Sequence, residues 1–177
     1  MKLILSFVLA MGLIAGNAQQ YQPVEDKSEI KFIVKNFGLN TSGSLQGLKG
    51  SIVFNPADLS TAFFNVSVDV KTINTGIESR DSHLRKEEYF DVEKYPTISF
   101  VSKNISKDQN GYTVTGSLTI KGTTKTISFP FVTQNQDAGL LFTGNLSINR
   151  KDFNVGGSSA VLGNNVDINL KVFAVKS

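Results

Sequence analysis

Hydrophobic and polar residues alternate along most of the chain with a period of two, which predicts β-strands. The clearest example begins at Phe64, where Phe64, Val66, Val68 and Val70 alternate with polar residues. The same pattern predicts eight strands, near residues 29–35, 45–55, 64–71, 98–100, 112–120, 127–131, 142–148 and 166–172. Hairpin-length turns such as Asp108–Gly111 join most of them, so the sequence predicts antiparallel neighbours.

One long segment, Asn74–Pro96, does not follow this pattern. Ile77, Asp81, Leu84 and Glu88 fall on helical spacing, and Asn74 or Thr75 is predicted to cap the helix. Tyr95–Pro96 then favours an extended backbone. We therefore expect one helix between the third and fourth strands, placed to plug one end of a barrel.

Glycine and proline predict several irregular features. Gly47 and Gly50 interrupt the second strand and predict a bulge or bend, and Pro130 predicts an edge or bulge in the sixth strand. Residues 21–26 are interpreted as a polar lead-in. Residues 150–165, which are rich in glycine, are interpreted as a long loop.

These elements predict an all-β fold, an eight-stranded antiparallel β-barrel with the helix inserted between strands 3 and 4. A closed barrel has no exposed strand edges, and one of this size can hold a single ligand. A two-sheet sandwich with a filled core fits the pattern equally well.

The inward-facing strand positions are almost all apolar, so a cavity among them would suit a hydrocarbon chain. The alternative is that these side chains simply fill the core. The candidate lipid-binding residues are Phe32, Val34, Phe54, Phe64, Val66, Val68, Phe100, Leu118, Ile120, Phe129, Phe131, Phe142 and Ile148.

The N-terminus resembles a secretory signal peptide, with Lys2 before an apolar stretch and small residues at Gly16 and Ala18. We expect residues 1–18 to be removed and residues 19–177 to form a single domain. A membrane anchor is the weaker alternative, because the apolar stretch is short for a bilayer. The chain has no cysteine, and we expect export to a bacterial periplasm.

Charge and residue content argue against several functions. Without Lys2, 17 basic side chains face 15 acidic ones, a net charge of +2 that does not predict nucleic-acid binding. His83 is the only histidine, so neither a metal site nor a catalytic triad is predicted, and no cofactor is expected. Arg80, Asp81 and His83 could meet a head group at a cavity mouth, although ion pairs on a helix surface are the favoured interpretation. The corner Arg150–Phe153 could meet an anionic head group or form a salt bridge within the turn.

Several motifs carry a resemblance to the YceI-like family of exported bacterial proteins. They are SEIKFIVKNFG, LKGSIVFNPADL, VDVKTINTGIESRDSHLRKEEYFDVEKYPTISF, GSLTIKGTTKTISFPF, NRKDFNVGG and NNVDINLKV. Lys27 and Ser28 stand where the family often has a histidine in the first strand.

The resemblance implies an extended, lipocalin-like eight-stranded barrel that binds polyisoprenoids, isoprenoid quinones or related long amphiphiles. We therefore expect a non-enzymatic periplasmic carrier, buffer or storage protein that does not span the membrane and is compatible with a homodimer. The alternatives are an enzyme acting on a lipid or quinone through Arg80, Asp81 and His83, and a filled-core stress or interaction module.

Overall fold

The structure, a computed structural model, describes residues 19–177; the predicted signal peptide lies outside them. Nine strands are present in this part of the chain: β1 (Gln20–Pro23), β2 (Glu29–Asn36), β3 (Leu39–Val53), β4 (Phe63–Asn74), β5 (Thr97–Asp108), β6 (Gly111–Ile120), β7 (Thr123–Gln136), β8 (Gly139–Asn149) and β9 (Leu162–Lys176). One α-helix, α1 (Glu78–Leu84), follows β4, and short 3₁₀ helices span Glu25–Lys27 and Arg150–Phe153.

Strands β2 to β9 form a closed antiparallel barrel of eight strands. Each strand pairs with its neighbours in sequence, and β2 closes the circle by pairing with β9. The helix α1 lies in the connection between β4 and β5, the third and fourth of the predicted strands. The predicted lipocalin-like barrel is confirmed, and the sandwich alternative is wrong.

The extra strand β1 was predicted as a polar lead-in, and that prediction is wrong. Its Tyr21 pairs with Ile52 of β3, and its Gln22 pairs with Val175 of β9. The strand β1 thus fills the place beside β3 and β9 that β2 leaves open. A segment of four residues is too short to show a hydrophobic period.

The strand β3 begins at Leu39, six residues before its predicted start. The turn before it holds only Phe37 and Gly38, whose φ angles of 50° and 76° suit a two-residue hairpin of type I′. Residues 39–44 are mostly polar, so hydrophobic alternation does not reveal them. The strand β9 likewise begins at Leu162, inside the predicted loop.

The irregular positions in the strands were predicted correctly. The register between β3 and β4 shifts on either side of Gln46, next to Gly47. Pro130 pairs with Thr113 of β6, whereas the pairing between β7 and β8 includes only residues from Phe131 onward. Pro130 therefore lies in a part of β7 that is paired on one side only, the setting in which strands tolerate proline.

The helix is shorter than predicted, and neither predicted capping residue caps it. Its N-cap is Ile77, which forms no side-chain capping hydrogen bond, and Asn74 belongs to β4. Instead, the buried Asp81 carboxylate accepts hydrogen bonds from the backbone N–H and the hydroxyl of Thr75. Among residues 19–177, no helix is long and apolar enough to cross a bilayer.

The barrel has two different ends. At the end holding the β5–β6 and β7–β8 turns, here called the closed end, aromatic rings fill the interior. Phe54 has no exposed surface, and its ring centroid lies 5.0 Å from that of Tyr112 and 5.5 Å from that of Phe142. The opposite end, here called the helix end, carries α1 and the 3₁₀ helix Arg150–Phe153. The solid packing at the closed end leaves any interior space toward the helix end.

Candidate functional site

A cavity of about 280 Å³ lies inside the barrel, between the closed end and the helix end. All eight barrel strands contribute to its lining, and almost all of the surface that the lining residues expose to it is apolar. Such a cavity has few groups that could hold ordered water, and apolar cavities of this kind stay dry or take up apolar ligands. The volume is close to the lower end of the range of roughly 300–1,000 Å³ that is typical of ligand pockets.

The structure places twelve of the thirteen candidate lipid-binding residues around this cavity. They are Phe32, Val34, Phe64, Val66, Val68, Phe100, Leu118, Ile120, Phe129, Phe131, Phe142 and Ile148. Phe54 lies outside the lining, because it follows the last residue of β3 and packs into the closed end. That these side chains hold a lipid stays a prediction.

Other lining residues were not among the candidates. Many of them lie on strands and follow the same period of two, which could have revealed them: Ile30, Leu48, Ile52, Ile98, Ile127, Leu146, Val166, Ile168 and Leu170. Others, such as Leu84, Phe90 and Val155, lie outside strands in segments folded over the helix end. The strand period does not mark residues of this second kind.

Two segments meet over one side of the helix end: the turns after α1 and the loop after β8. The backbone N–H of Gly156 donates to the carbonyl of Glu88 at 3.0 Å, and the Lys121 ammonium donates to the carbonyls of Glu88 and Asn154. Gly156 has a φ of 66°, and a Cβ atom there would lie 2.8 Å from Cε1 of Tyr89. Glycine is therefore required for the loop to lie this close to Tyr89.

The other side of the helix end is bordered by the β2–β3 hairpin. Its tip residues Phe37 and Leu39 are 75% and 73% exposed, and the Phe37 N–H donates to the carbonyl of Val161. The nearby lining residues Val34 and Thr41 are half-buried rather than buried. The cavity therefore comes near solvent beside this hairpin.

The three polar candidates on the helix have different environments. Arg80 is half-buried and belongs to the cavity lining. Asp81 is only 3% exposed and faces Thr75, outside the lining. His83 is exposed, lies 3.3 Å from a Glu88 carboxylate oxygen and packs edge-on against Tyr89. Of these three residues, only Arg80 is placed to contact a ligand in the cavity.

Arg150 is 4% exposed and lines the cavity as well. All five of its N–H groups have acceptors, which are the carbonyls of Val155, Gly157, Leu162 and Gly163 and the side-chain oxygen of Asn164. Arg150 forms no salt bridge with any of residues 19–177. Its guanidinium thus fastens the loop after β8 to the start of β9.

Some titratable groups outside the cavity are perturbed. A hydrogen bond from Lys31 lowers the pKa of the half-buried Glu29 carboxyl, and hydrogen bonds from Ser60 lower the pKa of Asp58. Burial raises the pKa of Tyr21 at the closed end. Within residues 19–177, no three His, Cys, Asp or Glu side chains come together as a metal site would require. The absence of metal and of cofactors from the function stays a prediction.

A closed antiparallel barrel of eight strands around an apolar cavity defines a protein of the lipocalin-like architecture. More narrowly, the chain belongs to the YceI-like family, because the model of the YceI-like domain matches residues 21–174. The family predicted from the sequence motifs is therefore confirmed.

Known relatives agree with this assignment. The chain is 31% identical to a UPF0312 protein of Yersinia enterocolitica over 157 residues, which are 84% of this chain and 81% of the relative. Its fold is similar to the crystal structure of Burkholderia cenocepacia BcnA, with a TM-score of 0.80, 28% identity, and coverage of 85% of this chain and 98% of BcnA.

A more distant structure shares the fold alone. It is a polyisoprenoid binding domain from Saccharophagus degradans, implicated in plant cell wall breakdown. It has a TM-score of 0.72 and 16% identity, and the match covers 89% of this chain and 98% of that domain.

Proposed function

We propose that the mature protein binds one long-chain amphiphilic lipid in its cavity and acts as a periplasmic carrier, buffer or storage protein, without chemistry of its own. The observation that carries this proposal is the apolar cavity, which is filled by aromatic rings at one end and approaches solvent at the other. A polyisoprenoid, an isoprenoid quinone or a fatty-acid derivative has the matching chemistry.

For a long-chain ligand, the hydrophobic effect supplies a free energy of the same order as the cost of association. Each buried CH₂ group contributes about 0.8 kcal/mol, so about fifteen carbons contribute about 12 kcal/mol. Association costs on the order of 4–15 kcal/mol in lost freedom. A single long chain therefore binds only if most of it enters the cavity, which favours long ligands over short ones.

The distant relative from Saccharophagus degradans is described as a polyisoprenoid binding domain, in agreement with this ligand class. A periplasmic location rests on the predicted signal peptide. The described residues provide no observation that favours an enzyme, because the only histidine, His83, is exposed and lies outside the cavity lining. The non-enzymatic function is therefore part of the proposal.

Native mass spectrometry of the protein purified from its own periplasm tests the proposal. We expect the measured mass to equal that of a chain starting at Gln19 plus one lipid molecule, and we expect organic solvent to extract that lipid. If the protein is empty, oleic acid, geranylgeraniol and a quinone are added in turn. Failure of all three to bind would contradict the proposal.

A cavity-filling variant gives a second test. Val66 lines the cavity and is half-buried, so Val66→Trp would occupy space that a ligand needs. We expect at least tenfold weaker binding while the protein remains folded, as checked by thermal unfolding. The matched control is Val132→Trp, because Val132 is 47% exposed on the outer face of β7. Equal binding by both variants would show that the ligand lies elsewhere.

A further inference from the structure

The charged residues of the cavity lining have only one sign. Lys31, Arg80 and Arg150 belong to the lining, and none of the lining residues is Asp or Glu. The exposed Lys31 ammonium forms a salt bridge with Glu29 on the same strand, so its charge is compensated. Arg80 and Arg150 are therefore the charged lining residues that a ligand meets at the helix end.

The positive charge of Arg150 is buried without a carboxylate partner. Its five N–H groups are satisfied by neutral oxygens, which stabilise the guanidinium but leave its net charge. Taking a charge out of water is unfavourable unless an opposite charge compensates it. An anion in the same cavity would supply that compensation.

Arg80 differs from Arg150 because part of its guanidinium has no acceptor. Its Nε donates to the Thr75 hydroxyl at 2.7 Å, and Nη2 donates to the Thr75 carbonyl at 2.8 Å. Within residues 19–177, its Nη1 forms no hydrogen bond and its guanidinium forms no salt bridge. Arg80 is thus held in one orientation on a residue of the lining while keeping free donors.

Asp81 is the acidic residue next to Arg80 in sequence, and it does not pair with Arg80 directly. The Thr75 hydroxyl lies between them, accepting from Arg80 and donating to Asp81. The charges of Arg80 and Asp81 balance each other, so the uncompensated positive charge of the cavity lining comes from Arg150. The hydrogen-bond donors come from Arg80.

We propose that this end of the cavity selects an anionic head group, a carboxylate or a phosphate, on the amphiphile that the cavity binds. Arg80 donates hydrogen bonds to the head group, and Arg150 contributes charge. Charge-assisted hydrogen bonds to carboxylates and phosphates are about twice as strong as neutral ones. This inference rests on the proposed function, because it needs a tail in the cavity.

Two ligands that share one tail test the selection. The affinities of oleic acid and oleyl alcohol for the delipidated protein are measured at pH 8, where the free acid is ionised. We expect the acid to bind at least tenfold more tightly. In Arg80→Gln we expect this ratio to fall to within about threefold of one, mainly because the acid binds more weakly. Arg80→Lys, which keeps the charge, should restore part of the preference.

Arg85→Gln is the matched control. Arg85 is close to Arg80 in sequence, but it pairs with Glu78 and lies outside the cavity lining, so its loss should leave the ratio unchanged. An equal loss of preference in Arg85→Gln would indicate a general effect of net charge and would overturn the role of Arg80.

The outcomes separate this inference from the proposed function. Tight and equal binding of acid and alcohol by the unmodified protein would overturn the selection and leave the lipid-binding function in place. Binding of neither would contradict the function itself. Geranylgeranyl phosphate and geranylgeraniol repeat the comparison for a phosphate head group. Competition by inorganic phosphate alone would show a site for free anions and would also overturn the inference.

Discussion

Individual residues of similar chemistry have different tasks in this barrel, as Phe54 and Phe64 show. Both are buried phenylalanines on the predicted inward face, and their ring centroids are 6.2 Å apart. Phe64 reaches the cavity, whereas Phe54 is surrounded by other rings. A period of two identifies which face of a strand is buried, but it does not show how far along the barrel the packing becomes solid.

Truncation of Phe54 tests this division between core and cavity. Phe54→Ala should lower the free energy of unfolding by about 3–5 kcal/mol, because it removes a fully buried ring. Phe54→Leu should cost less and leave the lipid affinity unchanged, because Phe54 is not a lining residue. Urea denaturation and lipid titration measure the two effects. A large loss of affinity in a folded Phe54→Leu would show that the cavity extends into the closed end.

Arg150 also shows what residue identity alone leaves open. The sequence suggested either a salt bridge within the turn or an anion contact. The structure directs its donors to four backbone carbonyls and to Asn164 rather than to a carboxylate of the turn, and the anion contact stays a prediction. These acceptors lie in the loop after β8 and at the start of β9. Such acceptors become visible only when the loop is folded.

At the scale of elements, the sequence predicts best where one strand face is buried and the other is exposed. In β6, inward residues from Tyr112 to Ile120 alternate regularly with more exposed ones, and this strand was predicted at residues 112–120. The same reasoning failed at the start of β3 and β9, near the helix end. Apart from Leu39 and Leu162, the residues there are polar or glycine, so no hydrophobic period exists to be detected.

The helix was placed correctly between its strands, but its length and capping were not. Helical spacing predicted that the helix would continue to Glu88, yet residues 85–96 form turns whose backbone hydrogen bonds are local, such as Tyr95 N–H to Asp91 O at 2.8 Å. Tertiary contacts with the loop after β8 stabilise these turns. Helix propensity is a weak indicator in such a setting.

The contact between these two segments can be tested through Gly156. Gly156→Ala adds a methyl group that meets the Tyr89 ring at 2.8 Å, in a residue with a φ of 66°. We expect faster hydrogen exchange in residues 85–92 and 150–157, and faster ligand release, because the cover over the cavity is loosened. Gly157→Ala is the control, since a Cβ atom at Gly157 has nothing within 4 Å and its φ is not in the left-handed region. Unchanged exchange and release in Gly156→Ala would mean that this contact does not restrain the cover.

For the whole molecule, the closed end of the barrel is completed by a strand that the sequence pattern did not reveal. Besides its pairing with β3 and β9, β1 brings Tyr21 against Phe142, with ring centroids 6.4 Å apart. The carbonyl of Gln19 accepts from the Phe54 N–H, and that of Gln20 accepts from the N–H of Ser177. The N-terminal segment therefore connects the first and last parts of the chain at the closed end.

Removal of residues 19–23 should accordingly destabilise the whole barrel. Loss of the Tyr21 ring alone, which is 5% exposed, should cost about 3–5 kcal/mol of unfolding free energy, as for other large core side chains. Urea denaturation of a chain that starts at Val24 measures this cost. The control is Tyr21→Phe, which loses only the hydrogen bond to Gln19 and should cost about 1 kcal/mol. Because no residue of β1 lines the cavity, a folded truncated protein should keep its lipid affinity. A truncation that costs no more than Tyr21→Phe would show that β2 to β9 close the barrel unaided.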